Sequence, residues 1–299
     1  MRATVAMLMS GAVLAAAAHC QPANYPYVPA MYQSIAGVSQ WLEVYPFEAR
    51  ARKLPLPFPL RVFSYSPDGS ALYATVQVLP ITAARAGGIV RLELGSMHST
   101  LVPGSEGLGV QGIAALPHGG GLFVTGSSVR TPCGLFKLEA SGSMTVLATE
   151  PCDPSEPLRR WGSISVSPDG TRAVLRGYHR LELAELATGK VTRLPSEFVL
   201  AAWSPDGKWL AVIRAVDGRT VLLDARTLES DRVLGMTDLV WSPDSKYLIS
   251  HVLKPECGSD GGGTLELVDV VTGKRREVAS SMCRVDRNTL GWVRRSIVR

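Results

Sequence analysis

Four aspartates recur in one setting along the 299-residue chain: Asp68, Asp169, Asp206 and Asp244 each follow a Ser-Pro pair. Carboxylates bind calcium or move protons when several converge on one point. The spacing here assigns them a local task instead. Proline presets the first corner of a turn, aspartate accepts hydrogen bonds from nearby backbone, and a following glycine tolerates positive φ. The segments 65–69, 166–170, 203–207 and 241–245 are therefore read as hairpin turns, the last with Ser245 in the glycine position. A degenerate fifth, Leu116-Pro117-His118-Gly119, carries histidine in place of aspartate. One aspartate per repeat places these side chains far apart, so they are not expected to share an ion.

Other chemistry is sparse. The five histidines are dispersed, and neither Gly-x-Ser-x-Gly, Gly-x-x-x-x-Gly-Lys nor His-Glu-x-x-His occurs. The glycine-rich stretches 104–109 and 261–263 precede no helical pattern and read as connectors. No catalytic residue, metal ligand or cofactor is assigned. Cys133, Cys152, Cys257 and Cys283 are too widely spaced for a compact zinc site, and their even number in an exported chain points to disulfides.

The elements that hold these turns follow from periodicity. The prolines of the five copies, at 67, 117, 168, 205 and 243, are separated by 50, 51, 37 and 38 residues, the size of a four-stranded propeller blade. A second hairpin of alternating apolar and polar residues follows each turn, as in Leu181 to Leu194 around Thr188-Gly189. Five internal blades of strands a, b, c and d result. Trp41 to Leu54 supplies a c–d hairpin with no preceding Ser-Pro turn, Thr289 to Val293 supplies a strand a, and Tyr32 to Ile35 fits strand b. Joining the two ends in one blade closes the ring and removes exposed sheet edges. The expected fold is all-β, a six-bladed propeller of four-stranded antiparallel blades, with seven blades or an open arc as alternatives.

The Ser-Pro-Asp-Gly copies, each followed by an alternating strand, resemble the WD40-like repeats of TolB-type propellers over about residues 41–299. The resemblance implies a six-bladed ring, an extracytoplasmic bacterial setting and protein-binding roles. The additional N-terminal α/β domain of TolB has no counterpart in the roughly 20 residues between the apolar leader and the first hairpin.

On the blade map, Cys133 precedes strand c and Cys152 follows strand d of one blade, and Cys257 and Cys283 do the same in another. The open ends of an antiparallel hairpin are neighbours, which predicts Cys133–Cys152 and Cys257–Cys283. Both pairs fall on the face opposite the Ser-Pro-Asp turns, as do the longer loops 77–88, 151–161 and 254–263. Residues opening strand a should ring the central funnel there: Arg61, Gln111, Trp161, Asp238 and Asn288, with Arg160 beside Trp161. This mixed polar ring is the expected binding surface. Trp203 and Trp241 sit beside turns, where packing between blades accounts for them.

Residues 1–18 read as a signal peptide: Arg2, an apolar run from Val5 to Ala18, and small residues Ala16 to Ala18. Residues 19–40 lead into the closing blade and 41–299 form the propeller. His19 and Ala17 depart from a lipoprotein signal, so a lipid anchor at Cys20 is not favoured. No segment has the apolar length of a transmembrane span. A composition of 46% apolar and 19% charged residues excludes a disordered or coiled-coil protein. The net charge of +5 comes from 24 Arg against 7 Lys, with no basic run that would suggest nucleic acid. The expected function is an exported, noncatalytic periplasmic or extracellular scaffold binding a protein or peptide through the disulfide-braced face. The alternative is a propeller hydrolase or lyase acting in the central funnel.

Overall fold

The computed structural model describes residues 25–35, 39–45, 50, 52–76, 88–116, 120–149, 161–177, 180–253, 263–282 and 290–298. Within them the chain forms six four-stranded antiparallel sheets arranged as a six-bladed propeller. The closing blade takes strands b, c and d from β1 (Tyr27–Ile35), β2 (Ser39–Val44) and β3 (Arg52–Pro55). Blade 1 follows with β4 (Leu60–Tyr65), β5 (Ala71–Val76), β6 (Ile89–Glu93) and β7 (Ser99–Leu101). Blade 2 is β8 (Gly109–Ala115), β9 (Leu122–Ser127), β10 (Gly134–Leu138) and β11 (Met144–Thr149). Blade 3 is β12 (Ser163–Val166), β13 (Arg172–Gly177), β14 (Arg180–Glu185) and β15 (Lys190–Arg193). Blade 4 is β16 (Phe198–Trp203), β17 (Trp209–Arg214), β18 (Thr220–Asp224) and β19 (Ser230–Val233). Blade 5 is β20 (Val240–Trp241), β21 (Tyr247–Leu253), β22 (Gly263–Asp269) and β23 (Arg275–Met282). The last strand, β24 (Leu290–Arg294), returns as strand a of the closing blade and pairs with β1 from Tyr27↔Arg294 to Met31↔Leu290. Strand b of that blade thus begins earlier than the sequence suggests, at Tyr27.

The apolar side chains are sorted by strand parity. In β17, Leu210 and Val212 pack with Leu181, Leu183 and Trp203 toward blade 3, whereas Ala211 packs with Leu248 and Val268 toward blade 5. Successive side chains of a strand point to opposite faces, so a strand covered on both faces reads as an unbroken apolar run. Six such clusters occupy the six gaps between neighbouring blades, including closing blade to blade 1 (Val28, Leu42, Leu72) and blade 5 to closing blade (Met31, Ile249, Leu265). The hydrophobic core is therefore a ring of interfaces.

The Ser-Pro-Asp turns behave as their residue types require. Ser204 is fully buried; its hydroxyl donates to Asp206 Oδ1 at 2.6 Å and accepts from the Trp209 N–H at 3.0 Å. Ser66, Ser167 and Ser242 repeat both bonds. The degenerate turn at 117–119 lies outside the described residues. Trp203, Trp241 and Trp292 are buried between blades. The Trp241 indole donates to the Ala202 carbonyl at 3.1 Å, and the Arg172 guanidinium lies 4.7 Å over the Trp203 ring.

Arginine, the basic residue this chain favours, joins blades. Arg172 Nη2 donates to Ala225 O at 2.6 Å, and Arg232 Nη1 to Val270 O and Val271 O at 3.0 and 2.7 Å. Arg275 Nη2 donates to Met236 O at 2.8 Å, and Arg294 Nε to Asp68 O at 3.0 Å. A planar fork of donors that stays charged suits carbonyls at a blade junction better than a single ammonium does.

Candidate binding face

The a–b and c–d turns share one end of the ring, here the turn face. The b–c loops and the connections between blades share the other, the loop face. Three innermost strands lose register where they begin on the loop face: between Leu60 and Phe63, Val110 and Gly112, and Phe198 and Leu200. Such bulges interrupt the ladder and redirect the side chain they contain. They contain Arg61, Gln111 and Val199. Arg61 and Gln111 thus lie within corresponding register shifts at the starts of β4 and β8. Val199, exposed at the third such place, was not among the predicted residues, because the bulge that sets its register comes from pairing with β17.

Across the innermost strands β4, β8, β12, β16, β20 and β24 the charged residues are Arg61 and Arg294. Arg294 is turned to the Asp68 carboxylate at 2.8 Å. Among the described residues these strands are otherwise uncharged, with Arg61 at the loop-face mouth.

Trp161, expected at the entrance, is only 3% exposed and packs with Phe123, Leu135, Ala173 and Leu175 between blades 2 and 3. Its indole N–H donates to Glu182 Oε2 at 2.6 Å, and Glu182 also holds Arg180 at 3.0 Å. A large apolar ring next to an interblade gap is drawn into it, with the polar edge satisfied by a neighbouring carboxylate. Asp238 is half-buried ahead of β20, and its Oδ2 accepts the His251 N–H at 2.5 Å, which ties the connection from blade 4 to the end of β21. Arg160 and Asn288 lie outside the described residues. Cys133 is buried just ahead of β10, whereas Cys152, Cys257 and Cys283 lie outside the described residues, as do most of the three long loops.

Residues that the sequence did not single out are prominent here. A tight loop closed by Ser128 N to Thr131 O at 2.8 Å, and by Thr131 N to Ser128 Oγ at 3.1 Å, presents Val129 and Arg130 at its tip. Val129 is 98% exposed, Val216 in the β17–β18 loop is 85% exposed, and Met236 is 61% exposed. The available signal was a valine inside a short polar loop, as in Ser128-Val129-Arg130 and Ala215-Val216-Asp217. Among the described residues, Arg61, Arg130 and Arg176 are exposed and make no ion pair, while Arg214 is held by Asp217 at 2.5 Å. Among the described residues no three His, Cys, Asp or Glu side chains gather as a metal site, and no helix is long and apolar enough to cross a membrane.

No protein-family model and no curated protein matches the chain. Solved structures do. The crystal structure of TolB from Acinetobacter baumannii superposes with a TM-score of 0.64 at 15% identity, over 90% of this chain and 66% of that one. This chain therefore spans just under two thirds of that protein's length. A nidogen/laminin complex structure matches with a TM-score of 0.58 at 16% identity, over 89% of this chain and 98% of that one. A candidate 6-phosphogluconolactonase from Bacteroides uniformis matches with a TM-score of 0.52 at 15% identity, over 87% and 84% of the two chains. At these identities the likeness is one of fold.

Proposed function

Taking the chain as a TolB-like six-bladed β-propeller, we propose that it is an exported, noncatalytic scaffold that binds a protein or peptide through its loop face. One observation carries this reading: among the described residues the innermost strands bear no charged side chain beyond Arg61 at the mouth and Arg294 committed to Asp68, whereas the described loop rim offers exposed arginines outside ion pairs and exposed apolar tips. Acid–base chemistry needs titratable groups aimed at a common point, and association needs complementary surface on rigid loops. The similar fold in the nidogen/laminin complex supports a propeller serving association. In this reading the leader at residues 1–18 directs export, and Cys133–Cys152 and Cys257–Cys283 brace the loop face. Non-reduced peptide mapping tests the pairing.

The test of function is crosslinking and co-purification of the protein from its own envelope fraction. One reproducible partner, lost when Arg61 and Val216 are both replaced by serine, is the expected result. The second reading, a hydrolase or lyase, rests on the fold shared with the candidate 6-phosphogluconolactonase. Turnover in a hydrolase substrate screen, together with no recovered partner, reverses the order.

A further inference from the structure

The two faces of the ring differ in how they use charge. On the turn face, Asp68, Asp169, Asp206, Asp224, Asp244 and Asp269 accept hydrogen bonds from backbone N–H groups two residues on. On the loop face the pattern is reversed. Among the described residues, Arg61, Arg130, Arg176 and Arg193 are exposed there without an ion pair, against the exposed carboxylates Glu106, Glu197 and Asp217, the last held by Arg214 and Arg219.

These arginines form an arc. Val62, next to Arg61, packs into the cluster between blades 1 and 2. Gly112, next to Gln111, leaves no space for a Cβ against the Gly162 carbonyl and Ser163, and Ser163 pairs with Arg176. Blades 1, 2 and 3 therefore carry Arg61, Arg130 and Arg176 on contiguous parts of the rim. Apolar tips continue around it: Val129 beside Arg130, then Val199 and Val216 on blade 4. Met236 follows, its sulfur 3.6 Å from where a Cβ on Gly218 would lie.

Resting on the binding reading above, we propose that the loop face recognises an acidic peptide segment with interspersed apolar side chains. Carboxylates answer the arginine arc, and apolar groups cover Val129, Val199, Val216 and Met236. Guanidinium groups bind carboxylates through paired donors, and unpaired charge at a rim steers an oppositely charged partner. The apolar tips favour a peptide over a nucleic acid, whose backbone offers them nothing to cover.

The test uses the purified full chain and three fluorescent probes: an alternating Glu-Leu peptide, its Lys-Leu counterpart and a short single-stranded oligonucleotide. The Glu-Leu peptide is expected to bind most tightly and to weaken with added salt. Kd should rise about fivefold for each of Arg61→Ala, Arg130→Ala and Arg176→Ala, the weight of a surface charge pair. Val216→Ser should also weaken it, and Lys190→Ala on the turn face should leave it unchanged. Equal binding of the Lys-Leu peptide, tighter binding of the oligonucleotide, or a triple arginine variant with unchanged Kd overturns the proposal. If an envelope partner is recovered but the Glu-Leu peptide does not compete with it, the acidic recognition fails while the binding reading stands. If neither partner nor peptide binds, both fail.

Discussion

The Tyr25 hydroxyl donates to Asp244 Oδ1 at 2.7 Å across 219 positions of sequence. On the other side of the closing blade, Arg294 Nη2 meets Asp68 Oδ2 at 2.8 Å across 226 positions. Two aspartates that shape hairpins in blades 1 and 5 thus also clasp the two ends of the chain. Burial, reinforced by the bond to Asp244, raises the Tyr25 phenol well above its ordinary value, so it remains a donor. Tyr25→Phe should lower unfolding free energy by about 1 kcal/mol in urea titrations. The loss should be smaller in an Asp244→Asn background, because a double-mutant cycle isolates the shared bond.

The buried serines of the repeat should matter more than their size suggests. Ser204→Ala leaves the Trp209 N–H without its acceptor and removes the hydroxyl donor to Asp206, which keeps the Lys208 N–H. A cost of about 1–3 kcal/mol is expected from an unsatisfied buried group. Chemical denaturation of the variant measures it, with exposed Ser96→Ala as the unaffected control.

Acid should loosen the turn face first. Burial pushes the Asp68, Asp169 and Asp244 carboxyls up, but hydrogen bonds outweigh it and the net shift is downward from 3.8. The donors are Ser66 and Ser70 for Asp68, Ser167 and Thr171 for Asp169, and Tyr25, Ser242 and Lys246 for Asp244. Groups with depressed folded values contribute stability that is fully present above the unfolded value and is lost as pH falls through the folded ones. Stability measured by circular dichroism should therefore drop below about pH 4. Replacing all three by Asn should flatten that acid limb.

Gly291 faces the Tyr65 ring, and a Cβ at position 291 would overlap it. Gly291→Ala forces β24 away from blade 1 at the closure. Overpacking of this kind costs about 1–3 kcal/mol. A lowered thermal midpoint, partly restored by Tyr65→Leu, is the expected result.

Trp161→Phe separates packing from recognition. Loss of the bond to Glu182 and of ring volume should lower stability by about 1–3 kcal/mol. Partner recovery at a temperature well below unfolding should be unchanged, since the side chain offers almost no surface.

Much of this was legible from local patterns. The Ser-Pro-Asp turns, the alternating hairpins and the placement of Trp41 to Leu54 and Thr289 to Val293 in one blade depend on φ preferences and side-chain parity, which neighbouring residues set. The rim was only partly legible. Counting from the repeats gives Arg61 and Gln111 matching strand offsets, but a bulge is created by mismatched pairing with strand b, so Val199 could not be counted out. The loop-like sequence around Trp161 suggests a rim residue, and only the gap between blades 2 and 3 shows where its ring is buried.

By itself, then, the sequence determined that the chain repeats four-stranded blades, their turns and the residue types available on each face, because these follow from short-range geometry repeated along the chain; that the ring closes at six blades was decided by the tertiary structure. Only the tertiary structure decided which side chains join blades and which remain free. Arg172, Arg232, Arg275 and Arg294 are consumed by carbonyls of the adjoining blade, while Arg61, Arg130 and Arg176 are left to solvent. The physical reason is that a guanidinium finds its partner through space, across gaps that exist only once the ring has closed.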